Sequence, residues 1–268
     1  MITELNAIKK RMETIKAIVL DMDGTIYLGK DLFPYTHAFL NKVKETGRDY
    51  YFFTNNSSRD LDAYIAKLQK MGIDIEAKQM MISTHVILKY LKKHHDGASV
   101  YVVGTPALCR EFEAHGWTLD EKHPDIVILG FDTTLTYEKL EKACTFIRNG
   151  AVYYGINPDL NCPMEGNTFI PDCGSIARLI EASTGVYPEF FGKPSRKTLD
   201  YIIEETGCRP EEIVIIGDRL YTDIAVADNS DVTSILVLSG ESSEEDVQRS
   251  ESKPDIIIEN IGVLAELL

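Results

Sequence analysis

The sequence has no long apolar run: the clearest, Ala17–Leu20 and Ile213–Ile216, fall far short of the ~20 residues that a membrane-spanning helix needs. No membrane partner is expected. The first residues also lack an apolar core, because Lys9, Lys10 and Arg11 stand among polar neighbours, so no secretory signal is expected and the reading is cytoplasmic. Positive charge is scarce as well: 28 Lys and Arg against 42 Asp and Glu leave a net charge of -14 and a pI near 4.9. Such a chain repels a phosphate backbone at long range, so nucleic acid is not an expected partner, although a local positive pocket is compatible with it. The five cysteines (Cys109, Cys144, Cys162, Cys173, Cys208) are scattered, odd in number and without a C-x-x-C pair. Reduced thiols fit that pattern better than a disulfide frame or a zinc site. None of the histidines has metal-ligand spacing to a cysteine or to a second helical histidine, and His94-His95 reads as a solvated helix end.

What is present is ordinary enzyme composition, 44% hydrophobic and 26% charged over 268 residues, enough for one large core or two modest ones. Apolar runs alternate with helical patterns, the signature of an α/β fold with a mostly parallel sheet. Five runs form one group: Lys16–Asp21, Asp49–Thr54, Ile213–Asp218, Ser234–Ser239 and Asp255–Glu259. Being apolar on both faces, they suit central strands covered by helices on each side. More than a hundred residues separate the second run from the third. That stretch has its own alternation, with strands expected at Ser99–Val103, Asp125–Leu129 and Ala151–Gly155 and helices at Tyr137–Arg148 and Ser175–Ser183. The expected organisation is therefore a discontinuous core, residues 1–79 and 188–268, with an α/β domain inserted at residues 80–187.

The sharpest chemical feature is Asp21-Met22-Asp23-Gly24-Thr25, immediately after an apolar run. Ligands in open α/β sheets bind at the carboxyl ends of strands. Acids two residues apart would face opposite ways in a continuing strand, but Gly24 lets the chain turn and brings both to one pocket. Alone, Asp-x-Asp is also what a turn or a helix cap looks like. Three further segments change its weight. Thr54-Asn55-Asn56-Ser57 follows another apolar run and offers a hydroxyl and backbone N–H groups to phosphate oxygens, or a helix cap, or both. Gly192-Lys193-Pro194-Ser195 precedes a helical segment from Arg196 to Thr206, where a lysine can neutralise a nucleophile and a phosphoryl group or simply be exposed. Gly217-Asp218-Arg219-Leu220-Tyr221-Thr222-Asp223 supplies a second acidic cluster at a strand end. Facing carboxylates repel unless a cation lies between them, and Mg²⁺ prefers a few such oxygens plus water and phosphate.

In this order the four segments resemble the motifs of the haloacid dehalogenase superfamily, and the match runs the length of the chain. The position of the insert resembles the large C2-type cap of the NagD-type, nitrophenylphosphatase-like branch. Thr136–Leu140, Asn157-Pro158-Asp159 and Pro171–Ser175 add to that likeness. The resemblance implies a Rossmann-like three-layer α/β/α core with an inserted α/β cap. It implies a Mg²⁺-dependent phosphatase acting on a small phosphorylated metabolite, and it leaves room for a homo-oligomer formed through the cap. By motif, Asp21 would be the nucleophile, Asp23 the general acid and then base, and Thr54 a phosphoryl-binding group. Lys193 would hold Asp21 and the phosphate. The metal would take the carboxylates of Asp21 and Asp218 and the backbone carbonyl of Asp23, with Asp223 orienting coordinated water or Lys193. Gly24, Asn55 and Asn56 would lie against the phosphate, and Asn157, Asp159 and Asp172 in cap loops would face the substrate, or else serve as turn residues. Two other readings share these residues: phosphoryl transfer to an acceptor other than water, and a non-catalytic phospholigand-binding regulator. The second acid, Asp23, argues against pure binding, which has no use for an acid/base group.

Overall fold

The structure, a computed structural model, describes residues 4–164 and 168–268. The chain divides into two compact units, one of residues 1–54, 68–81 and 193–268 and one of residues 55–67 and 82–192.

The first unit is built on a six-stranded sheet in the order Ile256–Ile258, Thr233–Val237, Ile213–Gly217, Ala17–Leu20, Asp49–Thr54, Met80–Ile82. The pairs from Ile256–Ile258 across to Asp49–Thr54 are parallel, so their carboxyl ends lie along one edge. Every residue of Ala17–Leu20, Ile213–Gly217 and Thr233–Val237 is buried, as expected for strands with helices on both faces. In register, Leu20 lies between Ile216 and Phe52, which fixes Asp21, Gly217 and Phe53 as near neighbours at the strand ends. The aromatic run Tyr50–Phe53 is core, with Phe52 and Phe53 fully buried.

The second unit has a four-stranded parallel sheet ordered Glu189–Phe190, Val152–Gly155, Ile126–Leu129, Val100–Val103. An antiparallel pair, Asn161–Met164 with Thr168–Pro171, lies beside it in the chain. One apolar cluster joins Tyr101, Leu129, Phe131 and Ile147 to Cys173 and Ile180 of the helix Cys173–Thr184. That helix starts where Asp172 accepts the Cys173 N–H and stops at Gly185, whose φ of 76° is the left-handed conformation that ends many helices. The helix Tyr137–Arg148 has the bounds expected from sequence, with the Thr136 hydroxyl accepting the Lys139 N–H.

Expected and observed strands agree to within two residues at each end, and the five cysteines are free thiols. Among the strands, Met80–Ile82 and Glu189–Phe190, the short pair Tyr27–Leu28 with Asp31–Leu32, and the antiparallel pair were not foreseen. No helix among the described residues is long and apolar enough to cross a membrane.

Candidate active site

The candidate residues of the first unit collect at the carboxyl edge of its sheet. Asp21 follows Ala17–Leu20 directly, and its N–H donates to the Ile216 carbonyl at 2.8 Å, so the nucleophile candidate is anchored to the neighbouring strand by backbone alone. The chain then turns at Gly24, which has a φ of 88°. A side chain there would be strained, and its Cβ would collide with the Asp218 carboxylate. Glycine is therefore what lets the Asp-x-Asp loop and the second acidic cluster approach each other.

Lys193 enters this edge just ahead of the helix Arg196–Thr206, which begins at Ser195. Only 2% exposed, it donates to Asp21 Oδ1 at 2.6 Å, to Asp223 Oδ1 at 2.5 Å and to the Phe53 carbonyl at 3.3 Å. Asp223 is held in turn by the Arg219 N–H, 3.1 Å from Oδ2. Asp218 Oδ2 accepts the Glu241 N–H at 2.7 Å, while its other oxygen, Oδ1, is buried with no hydrogen-bond partner among the described residues.

Carboxylate oxygens of Asp21, Asp218 and Asp223 lie within 4.8 Å of one another. Three carboxylates against the Lys193 ammonium leave an excess of negative charge in a largely buried cluster, which the nearby Arg219 offsets only in part. Burial and that excess charge together move the groups from their ordinary ranges. Burial, and then the Asp223 carboxylate, push Asp21 up to about 7 against the pull of Lys193 and Arg219. Burial and the charges of Asp21 and Asp223 likewise hold Asp218 well above the ordinary carboxylate range. Burial alone would lower Lys193, but Asp21 and Asp223 outweigh it and keep it protonated. An orphaned buried carboxylate oxygen beside two other acids is a hard, oxygen-only donor set that fits a divalent cation.

Asp21, Lys193, Asp218 and Asp223 thus come together, with Thr54 ending the adjacent strand. Asp23 is partly exposed and pairs across the turn with Tyr27. The remaining predicted residues belong to the second unit. Asn55 donates from Nδ2 to both Asp159 oxygens at 3.3 Å, and its carbonyl accepts the Ser83 hydroxyl at 2.8 Å. Asn56 Oδ1 accepts the Ser58 N–H at 3.0 Å, bracing its own turn. Asn157, fully buried, donates to Asp159 Oδ2 and to Asp172 Oδ1, both at 3.2 Å. Asp159 and Asp172 are buried too, so Asn55, Asn157, Asp159 and Asp172 form one polar network.

Sequence reasoning missed the loop after Thr233–Val237. Ser239 donates its hydroxyl to the Gly24 carbonyl at 2.7 Å, Glu241 binds Asp218 through its N–H, and a Cβ at Gly240 would collide with the Asp218 carboxylate. The available signal was Ser239-Gly240 directly after an apolar strand, the same cue that marked the other loops.

A family model described as haloacid dehalogenase-like hydrolase matches residues 18–118, and a second HAD-hydrolase-like model matches residues 190–264. The chain is 33% identical over 258 residues to the acid sugar phosphatase of Staphylococcus aureus strain MRSA252, covering 96% of this chain and 99% of that one. The chain belongs to the haloacid dehalogenase-like hydrolases. Among solved structures, the 4-nitrophenylphosphatase of Thermotoga maritima is 43% identical with a TM-score of 0.92, over 96% of this chain and 98% of that one. NagD of Escherichia coli K-12 is 30% identical with a TM-score of 0.85, over 92% and 97% respectively. These likenesses place the haloacid dehalogenase-like chain in the NagD-like branch, as an enzyme of the phosphatase type.

Proposed function

We propose that the chain is a Mg²⁺-dependent phosphatase of a small phosphomonoester, working through an aspartyl-phosphate on Asp21. The observation that carries the proposal is the buried Lys193 ammonium bonded to both Asp21 and Asp223, with the orphaned Asp218 oxygen close by. Asp21 attacks phosphorus as the bond to the leaving oxygen breaks, and Asp23 gives that oxygen a proton. Water then attacks the aspartyl-phosphate while Asp23 takes its proton, releasing inorganic phosphate and the Asp21 carboxylate. Lys193 keeps the Asp21 oxygen aligned and neutralises phosphoryl charge, and Thr54 and the backbone around Gly24 hold the phosphoryl oxygens. Mg²⁺, held by Asp21, Asp218 and the Asp23 carbonyl with Asp223 behind them, would offset the negative charge of the site and of the phosphate.

The second unit is proposed to be the cap that selects the substrate, with Asp159 and Asp172 acting through the network that includes Asn55 and Asn157. The relative named for acid sugar phosphatase activity makes sugar phosphates the first substrates to test, ahead of nucleotides and cofactor phosphates. The decisive experiment measures phosphate release from 4-nitrophenyl phosphate by wild type and Asp21→Asn, each with Mg²⁺ and with chelator. Only Mg²⁺-loaded wild type is expected to turn over, with Asp21→Asn keeping its native circular dichroism. Turnover by folded Asp21→Asn would remove the nucleophile, and full activity in chelator would remove the metal.

A further inference from the structure

A second group of metal-ligating side chains lies within the second unit. His85 stands in the first turn of the helix Ser83–His94, Glu111 lies in the helix Pro106–Ala114, and His115 follows that helix at once. Glu111 Oε1 is 2.9 Å from His85 Nε2 and 3.7 Å from His115 Nδ1, and the three donor atoms lie within 4.8 Å of one another. We propose that His85, Glu111 and His115 form a second divalent-metal site, of a chemistry suited to zinc, that staples the two helices of this unit together.

Donor geometry supports the assignment. Zinc binds imidazole nitrogen and carboxylate oxygen at about 2.0–2.2 Å, so two ligands at a tetrahedral angle sit roughly 3.4 Å apart. The separations of 2.9 and 3.7 Å bracket that value. The Glu111 and His85 side chains are 8% and 15% exposed, whereas that of His115 is 45% exposed. Two ligands are thus held from within, and the third faces solvent on the side where an ion and a completing water can enter. The other Glu111 oxygen, Oε2, accepts the Leu61 N–H at 3.4 Å, the kind of outer hydrogen bond that orients a ligating carboxylate. His115 Nδ1 now donates to the Glu111 carbonyl at 2.8 Å, so binding requires the exposed ring to turn away from that carbonyl and to give up a proton at the ligating nitrogen.

Two nitrogens and one carboxylate favour borderline ions such as Zn²⁺ and Co²⁺, whereas the oxygen-only cluster of Asp21, Asp218 and Asp223 favours Mg²⁺. The inference therefore stands or falls apart from the phosphatase reading. Sequence spacing hid it because His85 and Glu111 come from different helices.

The test titrates the full chain, saturated with Mg²⁺, with Zn²⁺ against a chromogenic chelator. About one equivalent per chain is expected to bind, with three protein ligands and a water. His115→Ala should weaken Zn²⁺ binding by more than the roughly 10–100-fold that losing an outer partner costs. As an exposed change it leaves the circular dichroism unaltered, and Glu111→Gln serves as a second check. Asp218→Asn should leave Zn²⁺ affinity unchanged. No stoichiometric binding would overturn the proposal, showing a hydrogen-bonded polar cluster only. Affinity that survives both His115→Ala and Glu111→Gln, or that falls with Asp218→Asn, would overturn it equally.

Discussion

Replacing Lys193 with methionine keeps an unbranched side chain of similar length and removes only the ammonium. Because Lys193 is 2% exposed and bonded to two carboxylates, the change leaves Asp21 and Asp223 without their shared counter-charge beside Asp218. Removing one member of a buried ion pair costs about 3–5 kcal/mol, since the charge left behind stays desolvated. For a chain of this size each kcal/mol moves the melting point by roughly 2–4 °C, so Lys193→Met should melt about 6–20 °C lower in metal-free buffer. Added Mg²⁺ should restore part of the loss by supplying positive charge to the same oxygens. The rate on 4-nitrophenyl phosphate should fall by about 10²–10³-fold, the cost of deleting one preorganised electrostatic group. Scanning calorimetry and a phosphate-release assay read the two effects separately. A Lys193→Met protein that melts with wild type would mean that the ion pairs carry no weight in the fold. A wild-type rate would mean that the lysine does not serve the chemistry.

Two further outcomes follow from groups outside the reacting centre. Glu212 bonds Arg209 at 3.1 Å and Lys16 at 2.6 Å, and the Arg209 side chain, then Lys16, hold its carboxyl down at about 2, below its ordinary 4.5. A depressed folded-state value stabilises the fold above the ordinary value and ceases to do so as pH falls through the depressed one. The melting-point gap between wild type and Glu212→Gln should therefore be widest near neutrality and close as pH drops from 4.5 towards 2; a gap independent of pH would refute the assignment. Asp159→Ala removes an acceptor shared by Asn55 and Asn157, and should lower stability by about 1–3 kcal/mol, read by thermal melting. An unchanged melt would show that the buried network has other means of satisfying those amides.

The parts legible in sequence were those set by neighbours in the chain. Ala17–Leu20, Ile213–Gly217 and Ile126–Leu129 are uninterrupted and β-branched-rich, and both helices with foreseen bounds, Tyr137–Arg148 and Arg196–Thr206, start at hydroxyl caps, Thr136 and Ser195. The convergence of Asp21 and the Asp218–Asp223 loop was legible for a related reason: parallel strands share one carboxyl edge, so motifs that each follow a strand of that sheet must meet there, whereas Lys193 arrives ahead of the helix Arg196–Thr206. Met80–Ile82 failed that test because three apolar residues fit a buried helix as well as a strand. Its place at the sheet edge is decided by Asp49–Thr54, far away in the chain.

The same distinction separates the two clusters of charged donors. The acidic cluster is written as short strings because one loop after each strand delivers one or two ligands. Glu111 and His115 are four residues apart across the end of one helix, a spacing that places them on a common face, but their partner His85 reaches them only through helix packing. In Asn55, Asn157, Asp159 and Asp172 the residue types are those of turns, and nothing local says that their side chains turn inward. Burial makes the difference: an exposed Asn-Pro-Asp turn can satisfy its amides with water, whereas a buried one needs the Asp172 carboxylate, 15 residues onward, which also caps a helix. Network membership is thus a property of the packed unit, and it is read from the fold because the partner that completes each hydrogen bond is chosen there.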